Sequence, residues 1–203
     1  MRAIRILVRG KAGLASGAAV VAMLSMATAA LAISVLLPPG GAVVVPPTTA
    51  ALEPDLAGLV IHDALLPFTI RNPAGGVLCA GQLQDRVVRS SKTQQLHFYY
   101  RIRATTGPGA INRMATAGFA KIGLRVAYRT DGLGTVPPRL AMRSTGPGVQ
   151  VMFTLSDPVL SCAKHQESRF MLIKTPVKIF QTGGNTRIIA TTGASASVST
   201  VMP

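Results

Sequence analysis

Hydrophobic and polar residues alternate along much of this chain. Leu96, Phe98, Tyr100 and Ile102 interleave with His97, Tyr99, Arg101 and Arg103. Leu124, Val126 and Tyr128 interleave with Arg125, Ala127 and Arg129, and Val149, Val151, Phe153 and Leu155 with Gln150, Met152 and Thr154. A period of two is that of a strand with one buried face, so each first set is expected to face a core. Shorter candidates are Pro67–Arg71, Val77–Leu83, Arg86–Arg89, Arg139–Ser144, Arg169–Thr175, Val177–Gln181, Arg187–Ala190 and Ser195–Val201. Phe170-Met171-Leu172-Ile173 is apolar on both sides and reads as a central strand. Ala110–Ala120 fits helix or strand, and no segment carries a long amphipathic helix pattern.

Turn chemistry separates these runs. Thr106-Gly107-Pro108-Gly109 and Thr145-Gly146-Pro147-Gly148 repeat one tetrapeptide, in which Pro-Gly suits the centre of a type II turn. Asp131-Gly132-Leu133-Gly134 and Gly183-Gly184-Asn185 read as further loops. Many short strands with Gly and Pro turns predict an all-β fold. An antiparallel β-sandwich of jelly-roll or Ig-like type is favoured over a barrel, because the strand lengths vary.

The pattern changes at the N-terminus. Arg2, Arg5, Arg9 and Lys11 precede an uncharged run from Ala12 that passes through Ala30-Leu31-Ala32. A basic start, an apolar middle and small residues at the cut form a secretory signal, cleaved after Ala32. The alternative is an uncleaved anchor, since no charge appears between Lys11 and Glu53. Residues 33–52 are apolar but broken by Pro38-Pro39-Gly40-Gly41 and Pro46-Pro47. They read as a linker or lead-in strand, with Ala42–Val45 as an edge strand, ahead of a single sandwich domain over 53–203. The expected location is secreted, periplasmic or cell envelope.

Export changes the meaning of composition. Four basic residues lie in the leader, so the net charge of the remainder falls from +14 to about +10. Export also makes Cys79 and Cys162, the only cysteines, a candidate disulfide. Trp is absent, which counts against a ring-stacking carbohydrate site.

Catalytic and metal signatures are weak. Ser161-Cys162-Ala163-Lys164 matches the S-x-x-K spacing of penicillin-recognising enzymes. Its companions are incomplete: Ser156-Asp157-Pro158 lacks the Asn and Lys174-Thr175-Pro176 lacks the Gly. The segment reads instead as a loop carrying the disulfide. His62, His97 and His165 show no paired metal-ligand spacing, so no metal or other cofactor is expected. Asp131-Gly132-Leu133-Gly134 lacks the oxygen ligands of a calcium loop. No catalytic residue is assigned.

The basic residues point to binding. Arg101 and Arg103 share the outward face of one strand, and Arg125 and Arg129 that of another. If these strands are neighbours, an arginine stripe results, with Tyr99 as a stacking surface on the same face. Its expected partner is anionic glycan or a membrane surface; nucleic acid is not expected outside the cell.

Arg86-Val87-Val88-Arg89-Ser90, Phe98-Tyr99-Tyr100-Arg101-Ile102 and Val126-Ala127-Tyr128-Arg129-Thr130-Asp131-Gly132-Leu133-Gly134 carry a resemblance. Over about residues 65–203 the chain resembles uncharacterised exported bacterial proteins, some of which end in a PEP-type sorting tail. The resemblance implies a β-sandwich and an extracytoplasmic compartment, and no activity. The chain ends at Thr200-Val201-Met202-Pro203 without such a tail, so surface sorting is not expected.

The leading expectation is therefore a non-enzymatic exported module, structural, adhesive or envelope-associated. One alternative is a secreted hydrolase with a loop-assembled site that includes His62 and Asp63. Another is a small-ligand carrier built as a closed barrel.

Overall fold

A computed structural model describes residues 33–155 and 159–203. The expected leader, with Ala30 and Ala32 at its expected cut, and Ser156-Asp157-Pro158 lie outside the described residues. Two sheets of seven strands face each other and do not close into a barrel, so the fold is an all-β sandwich. The closed barrel that a carrier would need is not formed. No helix among the described residues is long and apolar enough to cross a membrane.

The first sheet runs in the order β1 (Val35–Leu36), β8 (Arg125–Arg129), β12 (Met171–Lys174), β6 (Leu96–Thr106), β5 (Val77–Ser90) and β4 (Gly58–Arg71), and β3 (Pro47–Thr48) also pairs with β8. The second runs β14 (Ser195–Met202), β13 (Gln181–Ala190), β7 (Ala110–Ala117), β10 (Gln150–Thr154), β9 (Leu140–Arg143) and β2 (Ala42–Val44), and β11 (Leu160–Ser161) pairs with β7. Pairing is antiparallel except between β3 and β8.

The expected inward sets build the core, except Val149, which is exposed. Leu96, Phe98, Tyr100 and Ile102 are fully buried with Val126 of the same sheet and Met114, Val151, Phe153 and Ile188 of the facing one. β12 is central, as its two-sided apolarity predicts. Ala110–Ala117 is a strand, which resolves the helix-or-strand ambiguity there.

Four readings change. Residues 33–52 are part of the fold: the chain pairs as β1 in the first sheet, β2 at the edge of the second, then β3 back in the first. Its prolines mark the crossings and the start of β3 instead of a linker. Val77–Leu83 and Arg86–Arg89 form one strand, because Gln84 and Asp85 continue the pairing with β6. Gly183-Gly184-Asn185 lies inside β13, where a register shift between Thr182 and Gly184 absorbs the extra residue as a bulge. Val177–Phe180 is not a strand but the crossing from β12 to β13.

The repeated tetrapeptide serves two connections. Residues 106–109 cross from β6 to β7, between sheets, whereas 145–148 join β9 to β10 within one. The left-handed residue of the first is Gly107, ahead of the proline, which is not the type II pattern. In the second, Gly148 is required twice: its φ is +67°, and a Cβ there would lie 2.5 Å from Arg143 Nε.

Two polar anchors lock the ends. Glu53 is buried and accepts from Ser34 N (2.6 Å), Ser34 Oγ (2.9 Å), Thr48 Oγ1 (2.9 Å) and Lys174 Nζ (2.6 Å). Arg143 is buried without a carboxylate; it donates to the carbonyls of Gly148 (3.0 Å), Leu37 (3.2 Å), Phe119 (2.6 Å) and Ile122 (2.7 Å). The Cys79–Cys162 disulfide joins β5 to the turn after β11, across the two sheets, with its Cα atoms 5.9 Å apart.

Candidate functional site

The outer face of the first sheet is not an ordinary solvated face. Tyr99 and Arg101 alternate with core residues on β6, so they point outward, yet each is only 3% exposed. They are covered by a second apolar cluster of Leu56, Val88, Tyr99, Ala127, Phe170 and Leu172. Strand register builds it: Tyr99 stands opposite Arg86 on β5 and Leu172 on β12, and Leu172 opposite Ala127 on β8. Phe170, just before β12, meets Tyr99 edge-on with ring centroids 6.1 Å apart.

Arginines roof this cluster. The guanidinium of Arg86 lies 5.1 Å from the Phe170 ring centroid, that of Arg101 5.6 Å from the same ring, and that of Arg129 5.8 Å from Tyr99. Each is matched by a carboxylate. Arg86 bonds Asp63 at 2.6 Å, Arg129 holds Asp131 bidentately at 2.6 and 2.7 Å, and Arg101 pairs with Glu167. Burial would raise the Asp63 and Glu167 carboxyls. Hydrogen bonds outweigh it, from Arg86 and Gln84 to Asp63 and from Ala104 N and Arg101 to Glu167, and hold both below their ordinary range. For Asp131 the Arg129 hydrogen bonds dominate and lower the pKa directly. Burial pushes the Tyr99 phenol up to about 12.

Between these groups is a recess of about 190 Å³, lined by Arg86, Val88, Tyr99, Arg129, Asp131 and Phe170, with Gly132 at its wall. A Cβ on Gly132 would lie 3.4 Å from the Phe170 ring, so the absence of a side chain keeps that wall open. The Nε groups of Arg86 and Arg101, beside Phe170, are buried with no hydrogen-bond partner.

The arginine stripe expected from adjacent strands does not form, because β12 separates β6 from β8. Phe170, leading into β12, lets Arg101 and Arg129 approach one aromatic cluster from either side, with Tyr99 at its centre. Tyr99 is buried and offers no open stacking face. Arg125 is turned to the N-terminal segment, bonding the Ser34 carbonyl and hydroxyl. Arg103 is half-buried, its charge acting on Glu167. The members that strand periodicity alone does not reach are Arg86, Phe170 and the three carboxylates. Counting back from the 91–95 turn would have set Arg86 opposite Tyr99.

His62 and Asp63 do not act together. Successive residues of β4 face opposite ways, so Asp63 meets Arg86 outside while His62 meets Asp85 inside. His62 Nε2 is 3.6 Å from Asp85 Oδ2 and has no hydrogen-bond partner. Asp85 is buried and accepts the Val201 N–H; its pKa is raised, chiefly by burial. The neighbouring Thr200 hydroxyl bonds Thr186, which bonds Thr116. Thr182, Ser199 and Thr200 line one recess with His62 and Asp85, and none of their hydroxyls is hydrogen-bonded to the pair. Ser161-Cys162-Ala163-Lys164 runs from β11 into a turn with Cys162 in the disulfide, so Ser161 and Lys164 do not share a helix face. Among the described residues no three His, Cys, Asp or Glu groups gather to hold a metal ion.

Compared with known proteins, the chain matches no family model, no curated protein and no solved structure.

Proposed function

We propose that this chain is an exported, non-enzymatic β-sandwich module that binds an anionic glycan through the recess on its first sheet. The observation that carries the reading is the Arg86 guanidinium that lines the recess beside Phe170, its Nε–H buried with no hydrogen-bond partner. A buried donor without an acceptor is costly, and a carboxylate, sulfate or phosphate group on a sugar supplies the acceptor. Because each guanidinium already carries its own carboxylate, the site selects a placed anionic group and does not attract polyanions indiscriminately. A small concave recess suits a single sugar-sized substituent better than a flat membrane. Export supports the reading, since envelope polymers supply such groups, and the disulfide is compatible with that compartment.

The test is calorimetric titration with a uronic-acid oligosaccharide at low salt, with neutral dextran as control. Arg86→Ala is expected to weaken binding about tenfold or more, the loss of a charge-assisted contact. Gly132→Leu is expected to do the same by filling the recess, on a backbone that is not left-handed there. Arg187→Ala, on the other sheet, leaves binding unchanged. Equal binding by wild type and Gly132→Leu would refute the site, and binding only to anionic vesicles would refute the ligand class.

A further inference from the structure

A second surface is built where β4 begins and β5 ends. Two large apolar side chains stand in solvent there: Ile179 at 79% exposure and Leu59 at 69%. Leu59 is opposite Arg89 in the β4–β5 ladder, so the two side chains share a face of the sheet. Arg89 Nη1 donates to the Lys178 carbonyl at 3.1 Å, which fixes the 177–180 crossing, and with it Ile179, against the same strand end. Lys92 lies on the turn from β5 to β6, just past Arg89.

The charge around these side chains has one sign. Arg89, Lys92 and Lys178 have no carboxylate partner among the described residues. The acidic residues nearest in sequence to Leu59, Asp55 and Asp63, are held by Lys174 and Arg86, at 2.8 and 2.6 Å. This differs from the recess, where every guanidinium is neutralised in place. Bare apolar tips gain nothing from a hydrated polymer, but they gain from entering the acyl boundary of a bilayer while cations meet headgroup phosphates.

We propose that this end of the sandwich docks on an anionic lipid surface, with Ile179 and Leu59 inserted and Arg89, Lys92 and Lys178 at headgroup level. The complementarity that identifies the partner is an exposed apolar tip ringed by unmatched positive charge.

The absence of tryptophan makes the test specific, because Ile179→Trp gives a full-length chain whose only indole sits at the tip. With vesicles of phosphatidylcholine and phosphatidylglycerol, its emission should shift to the blue and be quenched by lipids brominated on the acyl chain. With phosphatidylcholine alone it should do neither. Lys92→Ala and Lys178→Ala, each added to that variant, should weaken the response roughly fivefold per charge. An indole that stays unquenched while the protein sediments with vesicles would overturn the proposal, since another segment would then hold the membrane. Equal quenching in neutral vesicles, or no effect of either lysine substitution, would overturn it too.

Discussion

Arg143 and Arg101 are both buried, but they are stabilised in opposite ways. Arg143 answers four backbone carbonyls and no carboxylate, so it acts as a clamp on three loops. Arg143→Met should leave those carbonyls without a donor and cost about 3 kcal/mol or more. Urea denaturation should show a lower midpoint with an unchanged slope. Arg101 instead pairs with Glu167 over Phe170, and its buried Nε–H has no hydrogen-bond partner. The carboxylates also divide by sign. Burial would raise Glu53, but hydrogen bonds from Lys174 and Ser34 overcome it and lower its pKa. A lowered carboxyl stabilises the fold above its ordinary pKa, here 4.5, and that contribution is lost as pH falls below it. Asp85 is raised by burial, so its contribution falls as pH rises from 3.8 through its folded value. At pH 7, Glu53→Gln should therefore be less stable than wild type, with the gap closing in acid. Asp85→Asn should be as stable as wild type or more so, with the difference disappearing at low pH. Denaturation midpoints measured from pH 3 to 8 check both signs.

At the scale of elements, alternation located most strands but not their joints. Asp85 occupies an inward position of β5 and breaks the apolar period, so one strand looked like two. Gly183 does the same in β13, where it is the bulge. Residues 33–52 looked like a linker because prolines interrupt them, yet those prolines fall largely at crossings and edges, where a missing N–H costs nothing. Pro67 is in β4, the free edge of the first sheet, which discourages another chain from adding to that edge. The cysteine pair was legible from count and the expectation of export, and it ties β5 to the second sheet over a separation of 83 residues. A loop of that length predicts a loss of about 4–5 kcal/mol on opening. Urea denaturation with and without reductant should show that drop in stability. An unchanged midpoint would mean that the N-terminal lacing alone holds the sheets together.

For the whole molecule, charge and shape distinguish two surface regions, for which different partners are proposed. The recess is neutralised carboxylate by carboxylate, whereas the basic excess lies outside it, including the end that carries Ile179. Arg101, Arg129 and Tyr99 were legible as an outward set, because strand period fixes which way a side chain points. Their gathering around Phe170 was not, because it depends on β12 inserting between strands that are far apart in sequence, and period says nothing about strand order. The central claim is that the recess receives an anionic sugar substituent on the Arg86 guanidinium beside Phe170. The most direct measurement is NMR of the arginine Nε–Hε resonances during titration with a uronic-acid oligosaccharide at low salt. The account predicts that the Arg86 signal shifts and saturates, and that Gly132→Leu abolishes the change while Arg187 stays still. Saturable shifts confined to other arginines, or none at all, would contradict it.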